Sequence, residues 1–138
     1  MKKQLIATIL VATLVVVLGC MGSGGGGNSG GGGGGSTVSL TMSGMSFSPQ
    51  TALAHAGDTV QWTNTGSLPH TVTSDTGQAG LDSSTQYPGG IGQNNVFTWT
   101  VPANATIGTH YFYHCQFHGA PGNGTSLGAG MSGEITVN

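Results

Sequence analysis

Short segments in which apolar and polar residues alternate recur along the C-terminal three quarters of the chain. Alternation of this kind predicts strands that bury one face. The segments, counting an aromatic run and the C-terminal run, are 38–42, 59–63, 71–73, 96–101, 110–115 and 133–137. Glycine, proline and asparagine separate them, and no stretch has sustained helical periodicity. The pattern predicts an all-β domain over residues 37–138, folded as a β-sandwich, with 77–95 as a long loop or poorly formed strand.

The N-terminal segment has the pattern of an export signal. Lys2 and Lys3 precede an apolar stretch over residues 5–18, which predicts a signal peptide over residues 1–19. This stretch is shorter than the roughly 20 residues that a spanning helix needs. It ends in Val17-Leu18-Gly19-Cys20, which resembles the lipobox of prokaryotic lipoproteins, where the cysteine is lipidated. An uncleaved anchor helix reaching about Met21 is the alternative.

A glycine-rich segment separates this signal from the predicted domain. Residues 22–35 contain eleven glycines, two serines and one asparagine. Because no apolar side chain is present to offset the entropy of ordering, the composition predicts a flexible linker. We therefore expect residues 20–36 to tether the domain through a lipidated Cys20 to a membrane, facing the periplasm or the cell exterior.

Charge is sparse throughout the chain. Lys2 and Lys3 are its only Lys or Arg residues, so cleavage before Cys20 would remove every one of them. The acidic residues are Asp58, Asp75, Asp82 and Glu134. Since no basic patch exists, the composition argues against nucleic-acid binding.

One cysteine and two histidines of the predicted domain form a candidate metal site. Cys115 is the single cysteine of the domain, so it cannot form an internal disulfide. His118 follows it by three positions, and His70 would come from another strand. A thiolate and two imidazoles with a weak axial thioether form the electron-transfer geometry of copper. With Met131 as the thioether, the sequence predicts one copper ion held by these four residues.

Two blocks of sequence resemble a known family. The first is 56–64 followed by 68–75, and the second is 108–118 followed by 128–137. Their residue types and order resemble those of the plastocyanin-like cupredoxins, here in a lipoprotein form. Across residues 37–138 the resemblance implies a Greek-key sandwich of two sheets and one type 1 copper. It also implies an electron carrier, not an enzyme, that shuttles single electrons between larger redox proteins such as cytochromes or oxidases.

The chain departs from that family in two places. Twelve residues, Gly119 to Gly130, lie between His118 and Met131, where members of the family that the chain resembles usually have about four. We expect this insertion to bulge outward as part of a docking face. Thr71 stands where many members have an asparagine that supports the thiolate loop. A change beside the ligands tunes a metal site more than it abolishes it.

The remaining expectations concern the surroundings of the site. His118 is the predicted exit for electrons, surrounded by an uncharged docking patch. His114 alternates with Cys115 along its strand, so it should point outward, and Tyr111 and Tyr113 should face the core. The predicted patch residues are Leu68, Ala120, Pro121 and Leu127.

Two other functions of a copper protein fit the sequence less well than electron transfer. A copper oxidase or reductase needs a second copper, and its paired His-x-His ligands are absent from the sequence. Copper storage or delivery would favour methionine-rich or multiple-cysteine runs, which are also absent. Storage or delivery remains the alternative function.

Overall fold

The structure is a computed structural model and describes residues 35–138. The predicted signal peptide, residues 1–19, Cys20 and almost all of the predicted linker lie outside the described residues. Within the described part of the chain, no helix is long and apolar enough to cross a membrane.

Over residues 35–138, eight strands form two sheets of four. The order in the first sheet is β2-β1-β4-β6 and in the second β3-β8-β7-β5. Two parallel pairings, β1 with β4 and β3 with β8, combine with antiparallel ones, because the chain crosses between the sheets. The fold confirms the predicted all-β, Greek-key β-sandwich. The strands are β1 Thr37–Ser43, β2 Ser46–Ser48, β3 Thr51–Ala54, β4 Thr59–Asn64, β5 Thr73–Ser74, β6 Val96–Thr100, β7 His110–Gly119 and β8 Gly130–Val137.

The predicted strands differ from the observed ones mainly around His70. The predicted strand 71–73 is reduced to the two residues of β5, and His70 pairs with Ile91 through an isolated bridge. The short strands β2 and β3 were not predicted, because three or four residues are too few to show a clear alternation. The stretch 77–95 is a loop, as expected, although Leu81 and Ile91 within it are fully buried.

Aromatic side chains join the two sheets across the core. Trp62 of β4 packs edge-to-face on Tyr113 of β7, with ring centroids 5.2 Å apart. Trp99 of β6 packs in the same way on Tyr111, at 5.0 Å. Such pairs contribute about 1 kcal/mol each beyond the area they bury. Tyr111 and Tyr113 face the core as predicted, and this packing fixes β7, the strand that also carries Cys115.

Candidate metal centre

His70 is held in the interior directly by Ile91 and indirectly by Asn64. It is fully buried, and its backbone bonds in both directions with Ile91. The buried Asn64 side chain donates to the carbonyls of Leu68 and Ile91, at 2.7 and 2.8 Å, and so positions the segment that leads into His70. Sequence analysis missed this role of Asn64. Its position at the end of β4, just before the turn, was the available signal.

A break in strand register brings Cys115 and His118 to the same place. His114 of β7 pairs with Ser132 of β8, and the next pair is Gly119 with Gly130. Four residues of β7, from Cys115 to His118, therefore lie opposite the single residue Met131. Such a bulge bends its strand and redirects side chains that simple alternation would send to opposite faces. It allows the two candidate ligands to approach each other although they are three positions apart.

The three predicted donor atoms converge. The Sγ atom of Cys115 lies 3.9 Å from Nδ1 of His70 and 3.5 Å from Nδ1 of His118. All three donor atoms lie within 4.8 Å of one another. Among the residues from 35 to 138, this is the one group of three or more potential metal-binding side chains found.

The protonation state of His70 suits a metal ligand. Burial, and after it the charge of the neighbouring His118, lower the pKa of His70. The neutral ring therefore predominates at neutral pH and offers a lone pair. Its Nδ1 atom, which lies 3.9 Å from Cys115 Sγ, is the ring nitrogen that faces the other donors. Copper fits one thiolate with two imidazoles.

Thr71 connects the two halves of the site. Its backbone N–H donates to Cys115 Sγ at 3.4 Å, and its hydroxyl accepts the N–H of Gln116 at 2.8 Å. The residue that replaces the expected asparagine thus still ties the His70 segment to the thiolate segment. A hydrogen bond to a thiolate stabilises its negative charge and so tunes a bound metal.

Met131 is placed by the same register break. It is 1% exposed and belongs to the buried cluster that contains Cys115. Gly130 before it has φ of 69°, a left-handed conformation that favours glycine. A Cβ atom at Gly130 would also crowd the carbonyl oxygen of His118. The backbone at Gly130, just before Met131, therefore lies in close contact with the backbone of His118.

The inserted loop, residues 119–130, folds back against the second sheet instead of projecting freely into solvent. Gly122 donates its N–H to Asp75, and a Cβ atom at Gly124 would contact Thr76. Part of the loop forms one wall of a cavity of about 510 Å³ over the sheet. Its lining residues are His110, Phe112, Gly124, Thr125, Ser126, Leu127 and Glu134.

The structure corrects the expectation for His114. His114 is absent from the core cluster but is buried, with 7% exposure. Its Nδ1 atom lies 2.6 Å from the Asp75 carboxylate. Alternation identifies the face of a strand but does not reveal that the buried side chain of Asp75, 39 positions earlier, lies against that face. Leu127, a predicted patch residue, lines the cavity together with Phe112.

An apolar surface lies beside the partly exposed His118, whose ring centroid is 6.2 Å from that of Phe117. Leu68 is 41% exposed and Phe117 is 50% exposed. A Cβ atom at Gly90 would contact both Phe117 and Pro69, so these residues are neighbours in space. We call Leu68, Pro69, Gly90 and Phe117 the apolar patch. Sequence analysis missed Phe117, although an aromatic residue between two candidate ligands was a visible signal.

Each histidine outside the candidate site lies against an acid. His55 pairs with Asp58, His110 with Glu134 and His114 with Asp75. Residues 35–138 contain no Lys or Arg. The described surface near His118 therefore presents no cationic side chain for electrostatic steering.

Known proteins resemble the described domain in sequence. A family model described as copper binding proteins, plastocyanin/azurin family, matches residues 35–138. Plastocyanin A/B of Petroselinum crispum is 33% identical over 101 residues, which cover 69% of this chain and 90% of that protein.

Solved structures resemble it in fold. A structure of the oxidized state of an amicyanin mutant has a TM-score of 0.51 and 21% identity. Another oxidized amicyanin mutant has a TM-score of 0.50 and 20% identity. Each match covers 74% of this chain and 82% of the solved chain.

The hydroxyl of Thr71 generates a testable prediction. Thr71→Val keeps the N–H that faces Cys115 but removes the acceptor of the Gln116 N–H. We expect the copper-loaded variant to remain blue with a shifted reduction potential, and the metal-free variant to lose about 1 kcal/mol of stability. Voltammetry and denaturant unfolding measure these effects. Thr71→Ser, which keeps the hydroxyl, is the control, and a Thr71→Val variant that matches it in both measurements would contradict the assignment.

Proposed function

Because the chain belongs to the plastocyanin/azurin family of copper-binding proteins, we propose that it carries single electrons between larger redox proteins. The proposed ligands of its one type 1 copper are His70, Cys115, His118 and Met131. The observation that carries the proposal is the convergence of three donor atoms within 4.8 Å from two distant parts of the chain. When bound, copper supplies a one-electron couple between Cu(I) and Cu(II).

The residues around the site support this function through rigidity. His70 is fixed by Asn64 and Ile91, and the Cys115 segment is fixed by Thr71. Ligands that hardly move between the two oxidation states keep the reorganisation energy low, which keeps electron transfer fast. The neutral state of His70 and the N–H that faces Cys115 both favour metal binding over protonation.

The assignment of Met131 as the axial ligand rests on burial and register. It is the single β8 residue opposite the segment from Cys115 to His118, and it is almost fully buried. A weak thioether donor stabilises Cu(II) more than Cu(I), so its main effect would be on the reduction potential.

Electrons would enter and leave through His118 at the apolar patch. Phe117 and Leu68 are exposed there, and small, weakly held interfaces suit partners that must dissociate quickly. The partner class is therefore a redox protein, such as a cytochrome or an oxidase, with an uncharged apolar surface near its own cofactor. Copper storage or delivery is not favoured, since Cys115 is the single cysteine of the domain.

We also propose that the protein is exported and anchored by a lipid on Cys20, with residues 20–36 as the tether. The apolar stretch 5–18 and the lipobox-like sequence support this proposal. The domain would then act at the outer face of a membrane, where a tether of about 16 residues has a reach of roughly 20–24 Å.

Copper titration of the purified domain tests the ligand set. We expect an intense blue band from thiolate-to-Cu(II) charge transfer, which Cys115→Ala abolishes. Met131→Leu should keep the band and raise the reduction potential, because the donor that stabilises Cu(II) is lost. Visible absorption, electron spin resonance and voltammetry measure these changes.

His55→Ala is the matched control for these substitutions, since His55 is exposed and lies outside the site. It should leave colour and potential unchanged. A colourless copper-loaded wild type would disprove the proposed site. A Met131→Leu variant with the potential of the wild type would show that the methionine does not contact copper.

Electron self-exchange between the Cu(I) and Cu(II) forms tests the apolar patch without a known partner. Phe117→Ser should slow self-exchange, because two copies must approach through this surface, while the potential stays nearly constant. Line broadening in nuclear magnetic resonance measures the rate. Ile107→Ser is the control, since Ile107 is 83% exposed and precedes the opposite end of β7. Equal effects of the two substitutions would rule out docking at the patch.

The proposed lipid anchor on Cys20 is tested separately. Protein expressed with its signal in a bacterial host should partition into detergent together with the membranes. Cys20→Ser should release the protein or block its maturation. An unmodified chain that begins at Met1, detected by mass spectrometry, would instead favour the uncleaved anchor helix.

A further inference from the structure

The Asp75 side chain is fully buried, which is unusual for an acid. One carboxylate oxygen lies 2.6 Å from Nδ1 of His114, and the other accepts the N–H of Gly122 at 2.7 Å. The Asp75 backbone N–H donates to the carbonyl of Phe112. This single residue is therefore bonded to β7, beside Cys115, and to the inserted loop.

The inserted loop closes on itself immediately beside the Asp75 contact. Ala120 donates its N–H to the carbonyl of Ala129 at 2.9 Å. Gly122 and Gly128 lie so close to the facing backbone that a Cβ atom at either position would overlap a carbonyl oxygen. On the far side, the Ser132 hydroxyl donates to the carbonyl of Gly128. The end of the loop that follows His118 is therefore held by Asp75, and the end that precedes Met131 is held by Ser132.

We propose that Asp75 is a positioning residue of the copper centre, which fixes the inserted loop between His118 and Met131 against the strand that carries Cys115. It contacts none of the proposed ligands and acts through Gly122 and His114. The inference rests on the ligand set proposed above. It explains how a loop three times longer than usual can still hold a methionine in a defined place.

The ionised carboxylate suits both contacts. One oxygen accepts the N–H of Gly122, and the other accepts from Nδ1 of His114 when the ring carries its proton there. Hydrogen bonds to an ionised acceptor are shorter and stronger than neutral ones. Without this acceptor the Gly122 amide would lose its partner and the loop would gain freedom near Met131. Weaker contact with the axial thioether would then raise the reduction potential.

Amide hydrogen exchange in the metal-free full chain tests the hydrogen bond between Gly122 and Asp75. Asp75→Ala should accelerate exchange at Gly122 by about tenfold or more, because a hydrogen bond to a charged acceptor is lost. Asp82→Asn, which removes an exposed acid, should leave this rate unchanged. An unchanged Gly122 rate in Asp75→Ala would overturn the proposal, whatever the copper site does.

A double-mutant cycle in the copper-loaded protein tests the positioning role. Removing Asp75 also removes a charge, so the substitution is compared in the full chain and in a chain lacking residues 122–128. The effect of the charge and of His114 is common to both backgrounds, whereas the effect of the loop exists only in the full chain. We expect a larger upward shift of potential, with a changed blue band, in the full chain.

Equal shifts in the two backgrounds would overturn the positioning role and leave Asp75 with an effect independent of the loop. If Asp75→Ala does not fold, Asp75→Asn replaces it, because it keeps the size of the side chain and one acceptor oxygen. Its shifts of reduction potential in the full chain and in the chain lacking residues 122–128 are then compared in the same way. A colourless copper-loaded wild type would instead count against the proposed ligand set. The exchange rate at Gly122 would still test the hydrogen bond to Asp75.

Discussion

The break in register between β7 and β8 is the constraint on which the candidate copper site depends. A regular antiparallel pair would send Cys115 and His118 to opposite faces of the sheet, since they are an odd number of positions apart. Because four residues of β7 face the single residue Met131, the strand bends, and the buried Cys115 and the partly exposed His118 reach one site. The same break leaves Met131 as the single β8 residue opposite that segment. Thus one local irregularity brings two of the proposed ligands together and sets the proposed third across from their segment.

The rest of the sandwich keeps this irregular segment in place. Immediately before the break, Tyr113 of β7 packs against Trp62 of the other sheet and lies against Gly133. Beyond the break, the pair of Gly119 with Gly130 restores the register. His70 arrives from the loop before β5, and Thr71 joins that loop to the thiolate segment through two hydrogen bonds. The donor atoms are therefore positioned by the protein fold, which favours a site that changes little with oxidation state.

Much of the fold and the site could be predicted because the signals are local. Cys115 and His118 are close in sequence, and alternating segments identify most strands. Other features depend on contacts between distant residues that no local pattern contains. Asn64 acts on Leu68 and Ile91 across a turn, and His114 lies against Asp75, which is 39 positions earlier in the sequence. Strands as short as β2 and β3 acquire their structure from the neighbours they pair with, not from their own sequence.

The inserted loop shows how a fold can tolerate an insertion beside a functional site. Lengthening a loop threefold costs about 1 kcal/mol in closure entropy. One hydrogen bond to a charged acceptor contributes about 1.5–3 kcal/mol, so the bond from Gly122 to Asp75 is large enough to offset that cost. The buried carboxylate is in turn stabilised by His114. An insertion that merely extended into solvent would need no such partner. The buried Asp75, which accepts the N–H of Gly122, is therefore the feature that distinguishes a loop held against the sheet from one that extends into solvent.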